Sequence, residues 1–302
     1  MSRRGWWLIG GVAAALVVAG ALWLWQSTSR SPTPDDAALD YLHALESGDA
    51  EAVRATGITV SATALEAFDA ATALIEDAEV TTVREGADGA SATVEIAFRL
   101  EGAAHTAQLV LTPVDGRWTV DDSSGLGTLT ADSTIGSDVA IGEITTPAGE
   151  GIALLPAGYT VSAAPTSSLS GDSTVEVLPG DDATATIEAA LRPEATAAAQ
   201  SRLDEHLETC TAPGSGVPEG CGIRIPWGTE FREVTDIRYR IDESPTIALT
   251  PTSFTADGGV LVATVSGTGQ DGGTRTTTYR TESWTLRGEV SFTAEGIVLS
   301  FW

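Results

Sequence analysis

The sequence predicts a multidomain chain: an N-terminal transmembrane helix, an α+β domain, a small β-sandwich, and a C-terminal α+β domain with one helix on an antiparallel sheet. Three observations predict it. An uncharged apolar run opens the chain, helical and then alternating periodicities follow up to residue 122, and short strand-like runs broken by Gly and Pro fill most of the rest. The divisions fall at 1–5 for a cytoplasmic tail, 6–25 for the membrane helix, 26–34 for a linker and 35–122 for the first domain. A linker at 123–134, the sandwich at 135–191 and the last domain at 192–302 complete them.

The run from Trp6 to Trp25 carries no charge. Twenty helical residues at ~1.5 Å each span roughly 30 Å, the thickness of a bilayer's hydrocarbon core. Trp6 and Trp7 mark one end and Trp23 and Trp25 the other, where indole rings favour the headgroup boundary. Arg3 and Arg4 precede the run, which places the N-terminus in the cytoplasm and everything after it outside, in the plasma membrane's extracytoplasmic space. A cleaved signal peptide would be shorter and would end in small residues, whereas this run ends Leu22-Trp23-Leu24-Trp25.

Within 35–122, Ala38, Tyr41, Leu42 and Leu45 share one helical face, and Gly48 and Asp49 end one helix and cap a second. A third helix is expected from Thr63 to Ile75, with a Thr63-x-x-Glu66 capping box. Val94, Ile96, Phe98 and Leu100 then alternate as a strand, Ala107, Leu109 and Leu111 repeat the pattern, and Asp115-Gly116 turns into Trp118 and Val120. Asp122 to Thr134, rich in Ser, Gly and Thr, reads as a linker. Short strands at Ile152–Leu155, Tyr159–Ala163, Thr174–Leu178 and Thr184–Leu191 suggest the sandwich. Pro193 opens the C-terminal helix, with Leu203, Leu207 and Cys210 on one face. Strands around Ile237, at Val260–Val265, at Arg275–Leu286 and at Val290–Phe301 follow, with Asp257-Gly258-Gly259 and Asp271-Gly272-Gly273 as hairpin turns.

Composition excludes several functions. The formal charge is −26, a surface that repels nucleic acid and anionic lipid. There is no lysine, which rules out a Walker-type phosphate loop, a Ser-x-x-Lys centre and a Schiff base. No Gly-x-Ser-x-Gly elbow and no His-Glu-x-x-His appear. Cys210 and Cys221 bracket a Gly/Pro-rich loop in the exported part, where a disulfide is expected and would stabilise by about 3 kcal/mol. A metal site formed with His206 is the alternative, although it offers only three ligands.

The stretch Ala37-Ala38-Leu39-Asp40-Tyr41-Leu42-His43-Ala44-Leu45-Glu46-Ser47-Gly48-Asp49-Ala50 resembles the opening helix of the nuclear-transport-factor-2-like superfamily, and Gly116-Arg117-Trp118-Thr119-Val120 resembles its last strand. The resemblance implies a cone-shaped helix-plus-sheet domain over 35–122, a fold that hosts enzymes, binders and spacers alike. Leu154-Leu155-Pro156-Ala157-Gly158-Tyr159-Thr160-Val161 is similar to sheet edges of small envelope β-domains, including those of teicoplanin-resistance-associated membrane proteins. That similarity implies a single-pass anchor carrying stacked modules. The usual N-terminal zinc ribbon is missing, so the architecture carries over and the resistance phenotype does not.

Enzymes of the cone fold keep an acid or base inside the cone, which makes Asp40, Tyr41, Asp69 and His105 the candidates here. His105 shares strand parity with Ala107, Leu109 and Leu111 and is the one weak catalytic candidate, although a half-exposed histidine at a strand start is its plainer reading. Tyr41 reads as core, Asp40 and Asp69 as solvated helix charges, His43 as exposed and His206 as packed against the sheet. No cofactor and no metal are expected. The leading expectation is a non-catalytic envelope adaptor, scaffold or binding module whose partners are envelope proteins or cell-wall components. The alternatives are a small-molecule binder in the cone, which Phe68, Phe98 and Trp118 would fill if it were closed, and an enzyme using His105.

Overall fold

The computed structural model describes residues 32–87, 89–212, 220–223 and 229–302. The expected membrane helix at 6–25, the cytoplasmic tail and most of the 26–34 linker lie outside them. No helix among the described residues is long and apolar enough to cross a membrane. The expected fold class is overturned, because strand accounts for 54% of the structure and helix for 19%. The two α+β expectations overweighted three short helical periodicities and underestimated strands that run far longer than their sequence punctuation suggests.

The chain divides into two compact units. One takes the described residues up to Val60 with Leu74–Leu126, and the other takes Ser61–Ala73 with Gly127–Trp302.

The first unit opens with α1 (Pro34–Ser47), whose N-cap Thr33 makes a capping box with Asp36 and whose chain turns out at Gly48, φ +67°. Asp49 caps α2 (Ala50–Ala55) by accepting from Glu51 N and Ala52 N. The sheet is β1 (Glu76–Glu85), β2 (Ala92–Leu100), β3 (Ala103–Val114) and β4 (Arg117–Val120), antiparallel in chain order. Val94, Ile96, Phe98 and Leu100 of β2, with Leu109 and Leu111 of β3, are buried, as are Ala38, Tyr41, Leu42 and Leu45 on one face of α1. Asp115 and Gly116 both adopt positive φ, so the β3–β4 turn has the twist that a two-residue hairpin needs. A one-turn helix, α4 (Asp122–Gly125), follows.

The third expected helix is shifted. Helix α3 runs Ala62–Asp69, because Ser61 rather than Thr63 is the cap and accepts from Ala64 N at 3.0 Å. The chain leaves the helix at Ala70, and Ala73 then bridges to Gly158. Residues 61–73, Phe68 and Asp69 included, therefore belong to the second unit and not to the first domain.

Residues 123–134, expected as a linker, contain most of α4 and β5 (Gly127–Ser133). Threonine favours strands, and Leu129 is fully buried, so alternation had been masked by a Ser/Gly/Thr composition. The sandwich region holds β6 (Asp138–Ile141), β7 (Ile144–Pro147), β8 (Gly151–Leu154), β9 (Ala157–Ala164), β10 (Leu169–Ser170), β11 (Asp172–Val177), β12 (Asp182–Ile187) and β13 (Ala190–Leu191). These form a sheet ordered β11-β9-β6-β7 and another ordered β12-β5-β8, with β12 and β5 parallel. Leu129, Val139, Leu154, Tyr159, Val161, Val177 and Ile187 make its core. Helix α3 packs on β7 and β8.

Helix α5 (Pro193–Cys210) starts at proline and packs Ala199, Leu203 and Leu207 inward, against β15 (Thr246–Leu249) and β18 (Gly296–Phe301). The sheet below it also holds β14 (Phe231–Glu243), β16 (Ser253–Gly269) and β17 (Thr274–Thr293), in the order β14-β16-β17-β18 with β15 beside β16. Two expected breaks are absent. Asp257-Gly258-Gly259 is not a turn but a β-bulge inside β16, with Gly258 at φ +80°. Gly288 does not end β17; a side chain there would strike the Ser300 carbonyl of β18, so its missing Cβ lets the two strands pair. Asp271-Gly272-Gly273 does form the β16–β17 turn, with Gly269 N donating to Gly273 O at 2.8 Å.

Candidate functional site

In the first unit a groove of about 370 Å³ lies between α1, α2 and β4. Its α1 side is the face opposite the core stripe, which offers Ala37, Asp40, His43, Ala44 and Ser47. Ala52, Ala55 and Thr56 line it from α2 and its C-cap, and the positive-φ turn before β4 delivers Arg117 and Trp118. The floor is open because four lining positions are alanine. Trp118 is half-buried, while Asp40, His43 and Arg117 stand exposed at the rim. None of these three makes a hydrogen bond or ion pair among the described residues, whereas Arg54, Arg84, Arg202, Arg238, Arg240 and Arg280 are all ion-paired. Asp40 and His43, expected as plain solvent-facing helix residues, thus share a cleft that single-residue reasoning did not assemble.

The other candidates are placed elsewhere. Tyr41 is fully buried and its hydroxyl donates to Gly125 O at 2.8 Å, as a core tyrosine should. Asp69 is exposed at the end of α3. His105 is half-buried on β3, opposite Phe98, with the ring centroids 5.5 Å apart. Of the expected cone-filling trio, Phe98 is buried in the first sheet, Trp118 walls the groove, and Phe68 is buried in the second unit.

The sulfurs of Cys210 and Cys221 lie 2.08 Å apart, a disulfide distance, with Cα atoms separated by 5.7 Å. His206 comes within 4.8 Å of both sulfurs. Bonded to each other, the sulfurs offer no thiolate. The imidazole is stacked on Phe301 at 3.8 Å between centroids and contacts Gly220 O through Nε2 at 3.3 Å. The loop is held further by Trp284, whose indole N–H donates to Cys221 O at 3.1 Å.

Sequence reasoning missed two features. Arg117 was read only as part of a closing strand. The far end of β17, Thr274–Thr281, pairs with β16 alone among the described residues, with no proline and no register shift from Thr268/Thr274 to Leu261/Thr281. The other outer strand of that sheet, β14, carries three register shifts and alternating charges that blunt pairing. The run Thr-Arg-Thr-Thr-Thr-Tyr-Arg-Thr after a glycine turn was the available signal. On one face of this end, Arg240 and Arg280 flank Val262, and Asp242 pairs with both arginines. The hydrogen bond that Arg280 donates to the Asp242 carboxylate holds the guanidinium pKa above its ordinary value.

Comparison with family models, curated proteins and solved structures finds no match.

Proposed function

We propose that the chain is a non-catalytic adaptor or scaffold of the bacterial cell envelope. It is held at the plasma membrane through residues 6–25, with its N-terminus cytoplasmic, and it binds envelope proteins or cell-wall components outside. The observation that carries this reading is the open edge of β17. Over Thr274–Thr281, six of the eight residues are β-favouring Thr or Tyr, and among the described residues this stretch pairs on one side only, at the end of a long hairpin. Such an edge is a template for a partner's strand, and the main chain supplies the bonds. The disposition of the more reactive side chains agrees with it: the Tyr41, Tyr159 and Trp284 polar groups satisfy backbone carbonyls, and His206 stacks on Phe301.

Chemical crosslinking of the full chain in intact cells, followed by mass spectrometry, tests the proposal. Repeated capture of the same envelope proteins, lost in a Thr276→Lys, Thr278→Lys variant, is the expected result. Capture that matches a control carrying residues 1–34 alone would contradict it.

A further inference from the structure

We propose that the groove of the first unit binds a neutral saccharide, with a sugar ring lying on the Trp118 indole and its hydroxyls held by Asp40, His43 and Arg117. The lining defines the ligand by elimination and by fit. At about 370 Å³ the groove sits at the small end of the range for small-molecule sites, which is roughly 300–1,000 Å³. An anion would meet Arg117, but also Asp40 and the field of a chain of net charge −26. A cation would meet one carboxylate in a groove that also carries the Arg117 guanidinium. A purely apolar ligand would strip water from three polar side chains without replacing their hydrogen bonds.

A pyranose avoids each penalty. Its C–H face is apolar and matches an indole, and its hydroxyls both donate and accept. Asp40 brings acceptor oxygens, Arg117 donates through a planar fork, and the His43 ring adds two nitrogen positions, so the rim complements a ring of hydroxyls. The alanines at 37, 44, 52 and 55 leave room for the ring where larger side chains would occupy the floor. Because Asp40, His43 and Arg117 have no partner among the described residues, binding breaks no internal bond.

The inference stands apart from strand docking at β17: sugar binding by the purified chain can hold or fail whatever is captured in cells. The full chain in lipid nanodiscs is titrated calorimetrically with chitobiose and cellobiose, and with the dipeptide Glu-Glu and inorganic phosphate as anionic probes. Saturable binding of a disaccharide is expected, weakened at least tenfold by Trp118→Ala and severalfold by Asp40→Asn. Ala52→Leu, which fills the groove from a half-exposed position, should abolish it while leaving the circular dichroism unchanged. No heat from either disaccharide with folded protein would overturn the proposal. Disaccharide binding untouched by Trp118→Ala, or anion binding lost in Arg117→Ala, would do the same.

Discussion

The sandwich and the C-terminal sheet belong to one compact unit and spend their strands differently. From Gly127 to Leu191 the chain has no Lys, Arg or His, its strands are short, and Tyr159 sits fully buried, donating to Leu155 O at 2.7 Å. From Phe231 to Phe301 the strands reach 17 and 20 residues, arginines are frequent, and α5, β15 and β18 pack at one end. The contrast teaches that a sheet can bury a face along its length, as Ile237, Tyr239, Ala263 and Val265 show, and still leave part of one strand's edge unpaired among the described residues. The sandwich is a closed core, and the C-terminal sheet is a core that also presents an edge, at Thr274–Thr281 of β17.

The closed end should behave like any packed interior. Phe254 is 1% exposed and meets Phe301 edge-on at 5.3 Å between centroids, so Phe254→Ala is expected to cost about 3–5 kcal/mol by urea unfolding. A cost under about 1 kcal/mol would erase the distinction between the two ends.

The disulfide comes next. Replacing Cys210 and Cys221 together by Ser should cost about 3 kcal/mol, because the cross-link restrains an 11-residue separation in the unfolded chain. The His206–Phe301 stack should loosen with it, readable as a histidine ring shift by NMR.

Tyr159 sharpens the sandwich's side of the comparison. Burial raises its pKa far above the usual value of about 10. The unfolded chain therefore releases this proton near pH 10 while the folded chain keeps it. The contribution is complete below that pH and is lost progressively above it. Tyr159→Phe should cost about 1 kcal/mol at neutral pH, for the lost bond to Leu155 O, and should flatten the fall in stability on the alkaline side. Unfolding curves between pH 8 and 11, in steps of about half a unit, check both parts.

The smallest effect on stability is expected at the open edge. Thr276 and Thr278 are exposed, with hydroxyls that meet only Ser266 and Thr264 across the strands, so Thr276→Lys with Thr278→Lys should change stability by less than about 1 kcal/mol. A large loss would mean that this edge is structural and not free.

Much of this contrast was legible in the sequence, though unevenly. Alternation at Val94–Leu100, the Asp115-Gly116 turn, the Gly48 end of α1, the Pro193 start of α5 and the cysteine pair were readable because each is set by neighbouring residues. What failed was set by distant ones. Whether Gly288 breaks a strand depends on the Ser300 carbonyl, and whether Asp257-Gly258-Gly259 is a turn or a bulge depends on Trp284 across the sheet. The placement of α3 depends on Ala73 bridging to Gly158, far along the chain. The groove was half visible: Asp40 and His43 were named, but Arg117 joins them only through the β3–β4 turn.

The most direct test of the central claim compares two probes in cells. A photo-crosslinking amino acid is placed at Thr276 on the open edge or at Glu143 in the exposed β6–β7 turn of the sandwich. The account predicts a discrete, reproducible protein adduct from the Thr276 probe and none from the Glu143 probe. Equal labelling from the two positions, or none from either, would contradict it.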